Sequence, residues 1–194
     1  MLAKFLKRIY IAYLRKKKKL DKLSIDRPTY IHCTATFHFH AGIKIGRYCR
    51  IGHLCHIDGE GGVEIGDGTI FAPKVVILSS SHVYQGNSLL PYTENDKKLP
   101  VKIGRGCWLG WGAIVCPGVT IGDGAIVGVG SVVTKDVLRG HIVGGNPART
   151  LKVRDENIDI AKLVSEEKYY LKAVLNENLK RAGRRSDSAE NLVS

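Results

Sequence analysis

His82 closes the run Ser79-Ser80-Ser81-His82 and stands directly before a polar stretch, residues 83–100, that carries Pro91 and Pro100. Imidazole ordinarily exchanges a proton near neutral pH, so a histidine at the lip of a loop is suited to deprotonating an alcohol or amine. The plainer reading of that position is a surface histidine at a turn. His38 and His40 alternate along one short segment, and His53 and His56 fall on outer or corner places. Trp108 and Trp111 offer flat apolar faces on which a ligand or a neighbouring subunit could stack. Lys135, Arg149, Lys152 and Arg154 gather late in the chain, and such groups suit phosphate oxygens as well as a merely solvated basic end. No Cys-x-x-Cys pair is present, and zinc-ligand spacing is missing.

These residues depend on a repeat. Across Val101–Val137, aliphatic residues fall at Ile103, Leu109, Val115, Ile121, Val127 and Val133, six apart. Four places after each stands a small or β-branched residue: Cys107, Ala113, Val119, Ala125, Ser131 and Val137. Neither the helical period of 3.6 nor the strand period of two has six as its basic interval. A fixed hexad marks a coil that turns a corner after every short strand. The pattern runs back through Ile31 and Phe37, then Ile45, Ile51 and Ile57, then Ile65, Phe71 and Ile77, with two-residue steps resetting its phase. At three hexads per turn it predicts about five turns, a prism roughly 24 Å tall at ~4.8 Å per stacked strand. Between Ser81 and Val101 the pattern vanishes, and a structureless loop of this length is usually functional or disordered.

The repeat also explains three of the five cysteines, because Cys49, Cys55 and Cys107 occupy its small inward place. An odd count argues against a closed disulfide framework, and free thiols fit a reducing, cytoplasmic compartment. The net charge of +12 is uneven: residues 1–28 hold ten Lys and Arg against Asp21 and Asp26, which points to a local basic anchor more than to a nucleic-acid surface. Residues 1–23 read as an amphipathic helix with Leu2, Phe5, Leu6, Ile9 and Tyr13 on one face. It suits either peripheral contact with the inner face of an anionic membrane or a cap across the open end of the coil. The apolar run Ile9–Leu14 is far short of the about 20 residues a span requires. Residues 156–180 predict a helix, and the polar composition of 181–194 predicts a disordered tail. The expected organisation is 1–28 head and linker, 29–154 coil with loop 83–100, and 155–194 helix and tail.

The stretch CWLGWGAIVCPGVTIGDGAIVGVGSVVTKDV…GHIVGGNPARTLK, with IGDGTIFAPKVVILSSSH upstream, resembles the hexapeptide-repeat acyltransferases, within them the maltose/galactoside and polysaccharide O-acetyltransferase group. The likeness covers roughly residues 43–154. It implies an all-β core formed by a left-handed parallel β-helix with N- and C-terminal helices, a homotrimer, and acetyl-CoA bound between subunits without a metal. Handedness comes from the resemblance alone, since ordinary crossovers are right-handed. His82 falls at the family's catalytic histidine. Trp108 matches its Trp-Ile-Gly tryptophan, Trp111 replaces a small residue at the donor cleft, and Val129 matches a pantetheine contact. Thr134, Lys135, Arg149 and Lys152 match places near the nucleotide. The γ-class carbonic anhydrases share the coil but use a histidine pair five residues apart, and nothing follows His82 at that interval.

On the acceptor side, IGHLCHIDGEGG lacks the asparagine of sugar-specific relatives, leaving Asp58 and Glu60 to bind a sugar hydroxyl or orient His82. The head also lacks the small-sugar module, which favours a larger glycan. The expected function is acetyl transfer from acetyl-CoA to a hydroxyl of a cell-surface polysaccharide or its precursor. The competing readings are N-acetylation of an amino sugar nucleotide or an antibiotic, and a non-enzymatic trimeric membrane scaffold.

Overall fold

The computed structural model describes residues 23–86 and 89–177. The expected amphipathic helix of residues 1–23, apart from Leu23, and the tail 181–194 lie outside the described residues.

Each hexad supplies one very short strand and one corner. In Ile121–Ile126 the aliphatic Ile121 points inward, Gly124 turns the chain with φ 67°, and the small Ala125 fills the corner beneath it. A positive φ likewise precedes the inward small residue at Gly106, Gly112, Gly118 and Gly130. Three such strands close one turn, and successive turns stack as parallel ladders into the three faces of a left-handed β-helix. The first face holds Ser24–Ile25, Ile43–Ile45, Val63–Ile65, Val101–Ile103 and Thr120–Ile121. The second holds Tyr30–Ile31, Arg50–Ile51, Ile70–Phe71, Trp108–Leu109, Ile126–Val127 and His141–Gly145, and Ala148–Val153 folds back antiparallel on the last of these. Thr36–His38, His56–Asp58, Val76–Ile77, Ile114–Val115 and Val132–Val133 form the third.

The core is the stack of inward hexad residues, with Ile43, Ile51, Ile57, Phe71, Ile77, Leu109 and Val115 nearly or wholly inaccessible. Each such side chain contributes roughly 1.5–3 kcal/mol relative to an exposed one. Cys49, Cys55 and Cys107 are buried in that stack, as the repeat requires.

The two-residue phase steps have one location. Ladder partners are 20 residues apart in the lower turns (Lys44 with Glu64) and 18 apart in the upper ones (Lys102 with Thr120). The extra residues sit where the third face turns into the first, at 39–42 and 59–62. The long insertion after Ile77 leaves from that same corner, so the columns above and below remain in register.

That insertion differs from the structureless loop expected for 83–100. Ser80–His82 pairs antiparallel with Asp96–Lys98, with Ser80 opposite Lys98 and His82 opposite Asp96. Backbone bonds between Val83 and Asn95 (3.0 Å) and between Thr93 and Val83 (2.8 Å) extend the pairing. The two arms have no hexad pattern because their ladder runs outside the prism.

The predicted C-terminal helix is two helices, Ile160–Ser165 and Tyr170–Glu177, separated by a turn in which Glu167 takes φ 51°. Asp159 caps the first, its carboxylate accepting from the Lys162 N–H at 2.9 Å. The segment lies along a glycine-lined corner, where Tyr169 approaches Gly68 so closely that a Cβ there would stand 2.2 Å from its ring.

Candidate active site

The hairpin that carries His82 is fixed at its root by Ser79, which is fully buried. The Ser79 hydroxyl donates to the Asp58 carbonyl at 2.7 Å and accepts from the Gly61 N–H at 2.9 Å. Its carbonyl accepts from the Leu99 N–H on the returning arm at 2.8 Å. Ser79 therefore ties the hairpin root to the turn below through its hydroxyl and joins the two arms through its carbonyl. Gly61 is required by close approach, since a Cβ there would meet the Ser79 carbonyl oxygen at 1.9 Å.

His82 Nδ1 lies 2.6 Å from Asp96 Oδ1, directly across the antiparallel ladder. An ionised carboxylate can only accept, so Nδ1 carries a proton, and in the neutral imidazole Nε2 is the atom with the free lone pair. Tyr92 stacks on the imidazole with ring centroids 3.9 Å apart and planes within 12°. The His82 side chain is 57% exposed, so the base is held on both a face and an edge yet stays open to a reactant. The carboxylate that orients His82 is thus Asp96, not Asp58 or Glu60. Sequence reasoning missed Asp96, since no periodicity connects residues 82 and 96.

Asp58 and Glu60 lie one turn below the hairpin root. Asp58 Oδ1 accepts from the Glu60 N–H at 2.9 Å, and Glu60 faces Lys98 of the hairpin at 3.7 Å. The Glu60–Lys98 pair joins coil to hairpin.

The donor-side candidates do not share one place. Trp111 sits where the second face turns into the third, and Val129, 74% exposed, lies one turn above it, the Gly130 N–H bonding to the Trp111 carbonyl at 2.8 Å. His53 meets Trp111 edge-on at 5.8 Å, and the Lys74 ammonium stands 5.7 Å from its ring centroid. Thr134 and Lys135 follow the last strand of the third face, both exposed. Arg149 and Lys152 lie on the antiparallel strand that ends the second face, and Arg149 Nη1 donates to the Ala148 carbonyl at 2.9 Å. Trp108 is outward on the second face between Ile70 and Ile126. It walls a separate cavity of about 320 Å³ beneath the C-terminal helices, with Leu163, Tyr169 and Tyr170. A groove of about 620 Å³ along the first face, lined by Lys44, Glu64 and Lys102, includes none of the candidate residues.

The histidines gather in two places. His32 and His53 stand 5.3 Å apart below Trp111, and His38 and His56 stand 5.0 Å apart on the third face. Among the described residues no group of three or more His, Cys, Asp or Glu side chains is arranged to hold a metal ion. Burial pushes the Cys49 and Cys107 thiols up to about 12 and Cys55 to about 11, so these sulfurs are packing groups and not nucleophiles.

Three ladders of hexad strands with turns of positive φ define a hexapeptide-repeat β-helix. The family model described as the hexapeptide repeat of succinyl-transferase matches residues 100–135. The chain is 32% identical over 128 residues to the galactoside O-acetyltransferase of Escherichia coli, a match covering 66% of this chain and 59% of that one. It is also 32% identical over 114 residues to a protein of the same organism assigned by name to colanic acid biosynthesis as an acetyltransferase, covering 59% and 60%. The chain thus spans about three-fifths of the length of these relatives. Among solved structures, an N-acyltransferase from Bacillus cereus in complex with dTDP and coenzyme A superimposes with a TM-score of 0.60, at 25% identity over 78% of this chain and 86% of that one.

Proposed function

We propose that the chain is an acetyl-CoA-dependent O-acetyltransferase acting on a sugar hydroxyl of a cell-surface polysaccharide or its precursor. The observation that carries this reading is the 2.6 Å contact of His82 Nδ1 with Asp96, which leaves Nε2 as the basic atom of an exposed imidazole. Nε2 removes the acceptor hydroxyl proton as that oxygen attacks the thioester carbonyl. The tetrahedral intermediate then expels the thiolate of coenzyme A, which takes the proton back from the imidazolium. Asp96 stabilises the imidazolium formed between the two steps. Trp111 and Val129 line the donor corner, Thr134, Lys135, Arg149 and Lys152 approach the phosphates, Trp108 contributes from the second face, and Asp58 and Glu60 serve the acceptor side.

The names of the two Escherichia coli relatives support a sugar hydroxyl and a polysaccharide as acceptor. A homotrimer accounts for the outer side of the third face, where Val76, Leu78, Ile114, Cys116 and Val132 form a half-buried apolar ladder that a second copy would cover. The basic residues of the head favour peripheral contact with an anionic membrane, and no described helix is long and apolar enough to cross one. The reading of the site as N-acylating draws on the likeness to the Bacillus cereus N-acyltransferase.

The test is titration of acetyl-CoA calorimetrically, followed by thiol release with paired hydroxyl and amine sugar acceptors. Saturable heat is expected, weakened about tenfold or more in Arg149→Ala through loss of a charge-assisted phosphate contact. Turnover on the amine alone would replace the O-acetyl reading by the N-acetyl one, and absence of binding would leave a scaffold.

A further inference from the structure

The outer side of the third face changes character along the prism. From Val76 upward its outward residues are aliphatic, but in the two turns below the hairpin they are Thr36, His38, His56 and Asp58. Thr36 pairs with His56 and His38 with Asp58 across one ladder, so the four side chains form a two-by-two patch. Asp58 also gives its carbonyl to Ser79, the residue at the root of the His82 hairpin. The patch is therefore built into the same corner that holds the base.

Its hydrogen-bonding capacity is largely unspent. The Thr36 hydroxyl donates to the Cys55 carbonyl at 3.3 Å, so its 3.1 Å contact with His56 Nδ1 is one in which Nδ1–H donates. In that arrangement His56 Nε2 is left as an acceptor. Among the described residues, the His38 ring makes a ring contact with His56 and no hydrogen bond, so it retains one donor and one acceptor. Asp58 uses Oδ1 on the Glu60 N–H, which leaves Oδ2. Burial, with the neighbouring His38 adding to it, holds the His56 pKa below its ordinary value, so His56 favours the neutral form that accepts. Donors and acceptors mixed on one small surface, with two ring faces 5.0 Å apart, match the alternating hydroxyls of an uncharged sugar better than they match a phosphate or an ammonium group.

We propose that Thr36, His38, His56 and Asp58 form an acceptor subsite for a neutral pyranoside, with His38 and His56 binding its hydroxyls. The inference rests on the reading of the chain as a sugar acetyltransferase and names two residues and a substrate class that reading lacks. It sets aside Glu60 as a direct ligand, because Glu60 is engaged with Lys98.

The experiment is saturation-transfer NMR of the full-length protein with methyl β-D-galactopyranoside, without donor, in wild type, His38→Ala, His56→Ala and the double variant. Saturable transfer is expected from the wild type. Loss of one neutral hydrogen bond weakens it about fivefold in each single variant, with a larger loss in the double. His38→Gln and His56→Gln, which keep a donor and an acceptor, retain most of the binding, and an unchanged thermal midpoint keeps the comparison within the folded state. An unaltered dissociation constant in the double variant, or no saturable transfer from the wild type, overturns the subsite. Thiol release from acetyl-CoA, measured in parallel, separates the two claims. Pyranoside binding that needs both histidines without thiol release refutes the transferase reading and leaves the subsite standing. Turnover with an unchanged acceptor KM in the double variant does the reverse.

Discussion

At the scale of single residues, burial decides which reactive groups of this chain can react. Cys49, Cys55 and Cys107 sit in the inward stack and donate to the backbone carbonyls of Gly66, Ala72 and Gly122 at 3.2, 3.3 and 3.2 Å. With their thiols raised to about 12, 11 and 12, the thiolate fraction at pH 8 is roughly a thousandth or below. Cys33 and Cys116 are only half-buried. Maleimide labelling of the native protein at pH 8, read by mass spectrometry, is expected to modify Cys33 and to reach Cys49, Cys55 and Cys107 only in denaturant. Native labelling of Cys49, Cys55 or Cys107 would contradict the assigned core. These three were legible in advance because the hexad names its inward places one by one. Asp96 was not legible, because its partner lies across a ladder formed outside the repeat, and no periodicity connects residues 82 and 96.

At the scale of elements, the irregular pieces are held by polar ties at corners, and the regular ones by the aliphatic stack. The C-terminal helices are an example: Arg47 Nη2 reaches both Asp67 (3.0 Å) and Glu167 (2.5 Å), and Lys172 meets Glu167 at 2.6 Å. Lys172 and then Arg47 depress the Glu167 pKa below its ordinary value. A folded-state pKa below the unfolded one means that the pairing stabilises the protein above the usual carboxylate range and is lost as pH falls through it. Urea midpoints of wild type and Glu167→Gln should therefore differ most near neutrality and converge in acid. A difference independent of pH would assign Glu167 a packing role only. The hexads predicted the short parallel strands between Tyr30 and Val133, but not Ser24–Ile25 or His141–Gly145. Two further features were not predicted, the antiparallel pairing of residues 80–82 with 96–98 and the break in the C-terminal helix. Both follow from contacts distant in sequence, the first from the Ser79 tie to Asp58 and Gly61, the second from Tyr169 seating on Gly68.

For the whole molecule, the three faces have different outer surfaces. The first is charged, with Lys44 and Glu64 paired at 3.4 Å in the open, an arrangement worth little in stability. The second carries Trp108 and ends in the basic strand with Arg149 and Lys152. The third is aliphatic above and polar below, and the His82 hairpin leaves from its edge. On the proposed reading, the basic strand meets the phosphates of the donor and the polar lower part of the third face meets the acceptor. The central claim, that His82 oriented by Asp96 is the base of an acyl transfer, is tested most directly by acceptor-dependent thiol release from acetyl-CoA. Wild type, His82→Ala and Asp96→Asn would be compared at equal thermal midpoint. The account predicts a loss of roughly 10²–10⁴-fold in kcat for His82→Ala and a smaller but clear loss for Asp96→Asn, with the acetyl-CoA KM unchanged in both. Full turnover by His82→Ala would contradict it.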